Sequence, residues 1–228
     1  MASHLLTGAG SGIGQVLADR LHARGDDLVL VARTAERADD LSGRYAGAQV
    51  LVADLADAMA VDALELPASL DSVVHAAGVV DLGRVEELTT AQWRLQVDVN
   101  LLAPVGLTRL ALPALRSARG TVLFVNSGAG LRAHPEWSAY AASKFGLRAF
   151  ADVLRAEESG SGVRVTSVFP GRTATPMQRK VHEQEGAAYD AADWIDPATV
   201  ADAMLHVLDL PRDATVPDLT ISPGPRAD

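Results

Sequence analysis

Short apolar runs alternate with longer segments of helical periodicity, and this alternation limits the fold of the chain more than any other feature. Most of the runs are rich in valine and leucine, and they occupy residues 4–7, 28–32, 49–53, 72–76, 121–126, 163–169 and 219–221. Strands that are apolar along their whole length are buried on both faces, as in a parallel sheet covered by helices. We therefore predict an α/β fold with a doubly wound parallel sheet of about seven strands and helices on both faces.

The segments between these runs carry the repeat that is typical of amphipathic helices. The repeat predicts helices over residues 13–24, 35–44, 92–115, 138–158 and 197–208, and a short helix before Pro67. Because proline lacks an amide hydrogen, we expect Pro104 and Pro113 to disturb the helix over 92–115 locally. We predict a single domain, residues 1–228, in which the mixed segment 172–196 forms a lid or binding loop.

Composition narrows the kinds of function. The formal net charge of −9 argues against a broad basic surface for nucleic acid. The chain has no cysteine, so we expect no disulfide, no thiolate catalysis and no metal site of the cysteine type. No apolar stretch approaches the roughly 18 residues of a membrane span, and the first four residues lead into a strand without the features of a secretory signal. We expect a soluble, cytoplasmic protein.

A glycine-rich turn, Thr-Gly-Ala-Gly-Ser-Gly-Ile-Gly at residues 7–14, follows the first strand and opens the first helix. Glycines permit a tight turn and let a pyrophosphate approach the backbone, while the helix N-terminus attracts the anion. The alternative is an ordinary tight turn between a strand and a helix. Its place at the start of an α/β chain favours nucleotide binding. The candidate ligands are Thr7, Gly8, Ser11, Gly12, Ile13 and Gly14.

The spacing of Thr7, Gly8, Gly12 and Gly14 matches the Thr-Gly-x-x-x-Gly-x-Gly turn of the short-chain dehydrogenase/reductase family. The chain resembles the single-domain branch of that family from about residue 3 to residue 177. The resemblance implies a Rossmann-type fold and an oxidoreductase that uses a nicotinamide dinucleotide. It also implies that a hydride passes between the nicotinamide and a small-molecule carbonyl compound or alcohol.

The end of the second strand distinguishes the two nicotinamide cofactors. A carboxylate there usually accepts hydrogen bonds from the adenosine ribose and selects NAD. This strand ends without a carboxylate, and Arg33-Thr34 follows it. Because arginine holds a 2′-phosphate through charge-assisted hydrogen bonds, we predict NADP(H) rather than NAD, with Arg33 as the main ligand and Ser11 and Thr34 assisting. The alternative is that Arg33 is a solvated loop cation.

Further cofactor contacts are implied by the resemblance. Asp54 and Leu55 follow the third strand, where the family has an acidic residue that contacts the adenine amine; alternatively, Asp54 caps the next helix. His75 stands where the family has asparagine, and we interpret it as a structural replacement that stabilises the central strands. The small residues after it leave room for the cofactor. The remaining contacts are Ala76, Ala77, Gly78, Pro170, Gly171, Thr173 and Thr175.

Tyr140 and Lys144 begin the helix over residues 138–158 and share one of its faces, because they are four residues apart. A cation near a phenol lowers its pKa, so we expect Tyr140 to exchange a proton with the substrate oxygen. The alternative is an amphipathic surface pair. Both residues are also expected to contact the cofactor, Lys144 through the nicotinamide ribose.

Two further residues match the family and favour catalysis over a chance pair. Ser127 lies thirteen residues before Tyr140 at the end of a strand, and its hydroxyl would hydrogen-bond the substrate oxygen. Asn100 matches the family asparagine that supports a water between the lysine and solvent. The predicted catalytic set is therefore Asn100, Ser127, Tyr140 and Lys144.

The substrate is expected to be a small to medium, partly apolar ketone or aldehyde. The candidate pocket walls are Val79, Val80, His134, Trp137, Met177, Gln178 and Trp194, each of which is alternatively ordinary packing. The resemblance implies a homo-oligomer, a dimer or tetramer, formed through the two long helices. Two other functions stay open: a 3-oxoacyl-carrier-protein reductase, and a catalytically silent NADP(H)-binding sensor or regulator on the same fold.

Overall fold

The computed structural model describes residues 1–225, and its centre is a parallel sheet of seven strands. In chain order the strands are β1 (Ser3–Thr7), β2 (Asp27–Ala32), β3 (Gln49–Val52), β4 (Ser72–His75), β5 (Thr121–Val125), β6 (Arg164–Pro170) and β7 (Asp218–Ile221). Their spatial order is β3-β2-β1-β4-β5-β6-β7, so the chain winds first to one side of β1 and then to the other. The predicted doubly wound, Rossmann-type sheet is confirmed.

Eight α-helices connect the strands of the described residues. They are α1 (Gly12–Ala23), α2 (Ala35–Arg44), α3 (Ala58–Asp62), α4 (Thr90–Val97), α5 (Ala103–Ala118), α6 (Ser138–Glu157), α7 (Pro176–Gln184) and α8 (Pro197–Leu208). The expected helical stretch over residues 92–115 is present, and its irregularity is a π-helical turn at Asp98–Leu102 between α4 and α5 rather than a break at Pro113. Pro104 lies in the first turn of α5, where its missing amide hydrogen costs no helical hydrogen bond.

The segment 172–196 is more ordered than its mixed composition predicts. It contains α7 and a 3₁₀ turn at Ala191–Asp193. Thr175 caps α7 by accepting a hydrogen bond from the amide of Gln178. A parallel bridge between Thr173 and Ile195 brings the two ends of the segment together. The excursion is therefore a helix on a closed loop at the carboxyl end of β6.

Two apolar cores cover the two faces of the sheet. On one face α5 and α6 bury Leu107, Leu115 and Leu147. On the other face α1 packs beside α8, and Leu17 and Met204 are fully buried. Burying one such side chain contributes about 1.5–3 kcal/mol, so the sheet is a firm platform for the residues at its carboxyl edge. Within residues 1–225, no helix has the length and apolar character that crossing a membrane requires.

His75 lies at the end of β4, in the middle of the first of these cores. Its ring stacks on Phe124 of β5, with 4.9 Å between ring centroids and 8° between planes. Its Nε2 is 2.9 Å from the hydroxyl oxygen of Thr108 on α5. Burial lowers the pKa of His75 to about 3, because the imidazolium would lose its hydration. These contacts agree with the interpretation of His75 as a neutral structural group that ties two strands to a helix.

The lowered pKa of His75 makes the stability of the fold depend on pH. Below the pKa of an unfolded histidine, about 6.5, the unfolded chain binds a proton that the folded chain does not. The free energy of unfolding should therefore fall by about 1.4 kcal/mol from this residue between pH 7.5 and pH 5.5. Urea unfolding of the wild type and His75→Gln at both pH values measures the difference. Equal losses in the two proteins would contradict the expected neutral state of His75.

Candidate active site

An elongated cavity of about 1100 Å³ runs along the carboxyl edge of the sheet. It crosses the sheet where β1 and β4 are neighbours, at the reversal of strand order. Parallel sheets open a crevice at such a reversal, because the loops leave the two strands in opposite directions. The predicted site residues that line the cavity are Gly8, Ser11, Gly12, Ile13, Arg33, Asp54, Leu55, Ala76, Ala77, Gly78, Ser127, Tyr140, Lys144, Pro170, Gly171, Thr173 and Thr175.

Four predicted site residues do not belong to this lining, and each has a structural contact. Thr7 accepts a hydrogen bond from the amide of Ala77 at 3.2 Å. Thr34 caps α2 by accepting a hydrogen bond from the amide of Arg37 at 3.3 Å. Gly14 lies against the backbone of Gly8, and the side chain of Asn100 hydrogen-bonds the backbone of Val79. These residues shape the cavity without facing it.

The glycine-rich turn is pressed against the backbone that follows β4. Gly8 has a φ of +77°, and a Cβ on it would lie 2.6 Å from the carbonyl carbon of Ala76. Gly14, in the first turn of α1, would place a Cβ 2.4 Å from the carbonyl oxygen of Gly8. Ser11 makes no side-chain hydrogen bond to the first turn of α1, and that turn has no acidic residue. The helix N-terminus therefore faces the cavity with its positive end uncompensated.

Three arginines surround the far end of the cavity, beyond the glycine-rich turn. Arg33 is exposed, and no hydrogen bond or ion pair to it is found within residues 1–225. Arg37 reaches back to the turn, since a Cβ on Gly10 would lie 3.9 Å from its guanidinium. Arg37 and Arg44 are partnered by aspartates of α2 and α1 at 3.0 and 2.8 Å. This end of the cavity is the part of its rim richest in positive charge.

Sequence reasoning missed Arg37 and Arg44 as lining residues. Both lie on α2, seven residues apart, and thus on one face of that helix. That spacing, directly after Arg33, was the available signal. Arg172, Val181 and Glu185 also line the cavity; they lie in the predicted binding segment 172–196, although sequence reasoning did not single them out.

Tyr140, Ser127 and Lys144 meet at the opposite end of the cavity. All three residues line it, and Ser127 is the N-cap of a 3₁₀ turn directly after β5. The hydroxyl of Ser127 faces that of Tyr140 and acts to lower the pKa of the phenol. The Lys144 ammonium lies 5.7 Å from the centroid of the Tyr140 ring and donates a hydrogen bond to the carbonyl of Val125 at 3.0 Å. The sequence-predicted convergence of these three side chains is present.

Burial dominates the electrostatics of this cluster. It raises the pKa of Tyr140 above the ordinary value for a phenol, against the smaller influence of Ser127. It lowers the pKa of Lys144 to about 8. The expectation of a net lowering of the Tyr140 pKa is therefore wrong for this arrangement, because burial outweighs the groups that favour the phenolate. The reason is that exclusion of water disfavours both charged forms, and the ammonium is directed to a backbone carbonyl.

Asn100 is held by the backbone of the segment after β4. Its side chain accepts a hydrogen bond from the amide of Val79 at 2.8 Å and donates one to the carbonyl of Val79 at 2.9 Å. It also donates to the hydroxyl of Ser143 on α6 at 3.1 Å. The amide oxygen of Asn100 and the Lys144 ammonium both lie beside Gly78, at 3.3 and 3.9 Å from the position of a Cβ there. The π-helical turn places Asn100 where it links the wall to α6.

Side chains from the loop after β6 face the glycine-rich turn across the cavity. Thr173 donates a hydrogen bond to the carbonyl of Gly171 at 3.0 Å, and Thr175 donates one to the carbonyl of Thr173 at 3.2 Å. A Cβ on Gly12 would lie 3.0 Å from the methyl group of Thr175. The loop and the turn therefore form the two sides of a narrow channel.

Apolar side chains enclose the space around the Tyr140 hydroxyl. They form a small cluster that includes Val80, Ala129, Trp137, Met177 and Val181. Of the other candidate walls, Val79, His134 and Gln178 line the cavity. Trp194 does not line it: its ring packs on His182 at 5.0 Å and under the guanidinium of Arg172 at 5.4 Å. We call the space bounded by this cluster the Tyr140 end of the cavity.

Comparisons with known proteins agree with this geometry. The family model of short chain dehydrogenases matches residues 3–186. An uncharacterized short-chain type dehydrogenase/reductase of Sinorhizobium fredii is 32% identical over 224 residues, covering 96% of this chain and 90% of that protein. An uncharacterized oxidoreductase of Staphylococcus epidermidis is 28% identical over 226 residues, covering 96% of each.

A solved structure extends the agreement to three dimensions. It is an alcohol dehydrogenase from the archaeon Thermococcus sibiricus in complex with 5-hydroxy-NADP. It superposes with a TM-score of 0.81 at 27% identity and covers 97% of this chain and 96% of that one.

The packing of the turn predicts a contrast between two of its glycines. Gly14→Ala should lower the free energy of unfolding by about 1–3 kcal/mol, because the new methyl group overlaps the carbonyl of Gly8. Gly10→Ala is the matched control, since the nearest atom to its Cβ is 3.9 Å away. Urea unfolding of the protein without added cofactor measures both. Equal stability of the two variants would show that the turn is not packed as described.

Proposed function

Because the chain belongs to the short-chain dehydrogenase family, we propose that it is an NADP(H)-dependent oxidoreductase that interconverts a ketone or aldehyde with the corresponding alcohol. The observation that carries the proposal is the position of Tyr140, Ser127 and Lys144 at one end of a cavity that begins at the glycine-rich turn. A proton donor and a dinucleotide cradle thus share one space. Reduction of a carbonyl requires both.

The residues along the cavity fit a nicotinamide dinucleotide. The bare backbone at Gly8 and Gly12 and the open N-terminus of α1 would hold the pyrophosphate. Lys144 would bind the ribose next to the nicotinamide, and Thr173 and Thr175 would hold its carboxamide. When bound, the nicotinamide supplies the hydride to the carbonyl carbon or accepts it from the alcohol carbon.

Tyr140 supplies the proton that balances this hydride. Its raised pKa keeps the phenol protonated, which is the form that a donor needs when a carbonyl is reduced. An alkoxide is far more basic than a phenolate, so the proton moves to the substrate oxygen once negative charge develops there. Ser127 would hydrogen-bond the same oxygen and stabilise that charge. In the reverse direction Tyr140 accepts the proton of the alcohol.

Lys144 supports the proton transfer from behind Tyr140. Its lowered pKa, about 8, leaves the ammonium form dominant at neutral pH. That charge stabilises the phenolate left after Tyr140 has given up its proton, at a site from which bulk water is excluded. Asn100 and Lys144 both border Gly78, which supports the proposal that Asn100 helps to connect Lys144 with solvent for reprotonation.

The choice of NADP(H) is supported by the arginines at the far end of the cavity. Arg33 has a free guanidinium within the described residues, so a 2′-phosphate there would meet one unpaired positive charge, and Arg37, beside the turn, is already paired with Asp40. β2 ends at Ala32 without a carboxylate that would repel the phosphate. The alcohol dehydrogenase of Thermococcus sibiricus, which has the same fold, was solved with a derivative of NADP.

A homo-oligomer is supported by exposed apolar side chains on the helices that flank the Tyr140 end. They are Leu102 in the π-helical turn, and Phe145 and Val153 on α6. Exposed apolar residues that gather on neighbouring helices are typical of protein interfaces. We propose that these helices pair with those of a second copy.

The proton role of Tyr140 is tested by Tyr140→Phe, which removes one hydroxyl. We expect kcat for the reduction of ketones or aldehydes to fall about 10²–10⁴-fold, because the alkoxide loses its proton donor. Binding of NADPH, measured by its fluorescence, should persist. If the wild type binds NADPH but reduces no member of a broad carbonyl panel, the protein is a cofactor sensor rather than an enzyme.

The cofactor preference is tested at Arg33. We expect Arg33→Ala to weaken NADPH binding about tenfold and to leave NADH binding unchanged, because only NADPH carries the 2′-phosphate. Arg109→Ala, on α5 and outside the cavity lining, is the control for general loss of positive charge. Titration calorimetry with both cofactors gives the comparison. Similar affinities for NADH and NADPH in the wild type, unaltered in Arg33→Ala, would rule out this assignment.

A further inference from the structure

Residues 79–83 form part of the cavity wall and belong to none of the seven strands. The backbone of every second residue in this segment is nevertheless hydrogen-bonded. The backbone of Val79 pairs with the side chain of Asn100, as described above. Two residues on, the amide of Asp81 donates to the side chain of Gln96 at 3.1 Å, and the carbonyl of Asp81 accepts from it at 3.1 Å. Two residues further, the amide of Gly83 donates to the carbonyl of Glu136 at 2.9 Å. Two amide side chains, four residues apart on α4 and the π-helical turn, thus take the place of a neighbouring strand.

The residues between these braced positions face the other way. Val80 and Leu82 pack in the apolar cluster at the Tyr140 end of the cavity. Opposite faces for alternate residues are the property of extended backbone. Gln96, which is fully buried, therefore determines where Val80 meets the substrate space and where the side chain of Asp81 points.

Asp81 is the docking point for α7. Its carboxylate accepts a hydrogen bond from the ammonium of Lys180 at 2.6 Å and one from the amide of Gln184 at 3.4 Å. The side-chain oxygen of Gln184 accepts a hydrogen bond from the amide of Leu82 at 3.2 Å. Lys180 and Gln184 are four residues apart, so one face of α7 is fastened to the segment.

The same helix supplies one wall of the substrate space. Met177, Gln178 and Val181 of α7 line the cavity, and Val181 packs in the cluster with Val80 and Tyr140. If α7 moved away from Asp81, this wall would be lost, whereas the arginines at the other end of the cavity lie on α2 and in the loop before it. The position of α7 should therefore affect binding of the substrate more than binding of the adenosine half of the cofactor.

We propose that Gln96 and Asp81 are positioning residues for the carbonyl substrate, with Gln96 fixing Asp81 so that Asp81 closes α7 over the Tyr140 end of the cavity. This proposal rests on the proposed function. The Lys180–Asp81 pair suits a closure that opens for each substrate, because it is partly exposed, with 48% and 17% of the side chains accessible. Exposed pairs are weak and are screened by salt. In this proposal the hydrogen bonds between Gln96 and the backbone of Asp81 persist, while the ion pair between Asp81 and Lys180 breaks and re-forms.

The proposal is tested by steady-state kinetics at saturating NADPH, with the best substrate of a panel of aromatic and aliphatic ketones and aldehydes. We expect Asp81→Asn and Gln96→Leu each to raise KM about three- to tenfold while kcat stays within about twofold. Asp81→Asn added to Gln96→Leu should raise KM no further, because both act through one contact. The wild-type KM should rise with ionic strength, and that of Asp81→Asn should not.

The matched control is Asp62→Asn, which removes another ion pair of 2.6 Å, with Arg109, outside the cavity. Its KM should equal that of the wild type. A fall in kcat or in NADPH affinity with KM unchanged in Asp81→Asn would overturn the proposal. If Gln96→Leu does not fold, Asp81→Asn decides alone.

A second readout separates failure of this proposal from failure of the proposed function. Amide hydrogen exchange over residues 176–184 should be faster in Asp81→Asn than in Asp62→Asn, whether or not any carbonyl is reduced. Equal exchange in the two variants would show that Asp81 does not hold α7 and would overturn the proposal. Absence of carbonyl reduction by the wild type would count against the proposed function alone.

Discussion

The packing of the glycine-rich turn against the backbone after β4 is the contact on which the rest of the site depends. No side chain fits between Gly8 and the carbonyl of Ala76, and the amide of Ala77 is bonded to Thr7. β1 and β4 are the neighbours at which the strand order reverses. Because this packing fixes the ends of both strands against each other, the N-terminus of α1 and the Tyr140 cluster open into the same cavity.

The wall of the Tyr140 end shows how buried backbone is satisfied where the sheet has ended. Val79 and Asp81 cannot pair with a strand, and their polar groups need partners away from water. Asn100 and Gln96 provide both a donor and an acceptor to each. The π-helical turn separates α4 from α5 beside these side chains. The π-helical turn and the irregular wall segment are therefore linked, because side chains beside the turn satisfy the backbone of the wall.

Much of the site could be predicted from short-range sequence rules. The sheet followed from apolar runs, and the shared face of Tyr140 and Lys144 followed from their spacing of four residues. The pKa of Tyr140 could not be predicted this way, since it depends on how much water the folded walls exclude and on the bond of Lys144 to Val125. Arg37 was missed because its approach to the turn depends on how α2 packs.

The sequence by itself determined the order of the strands and of most helices, the glycine-rich turn and the candidate proton donor, because each is encoded by residues close together in the chain. Only the tertiary structure decided that Asp81 meets Lys180, ninety-nine positions away, and that Gln96 holds Asp81 in place. Such contacts join elements whose approach is set by the whole sheet and both cores. Side-chain periodicity predicts which face of a helix is buried, but not which backbone group that face will meet.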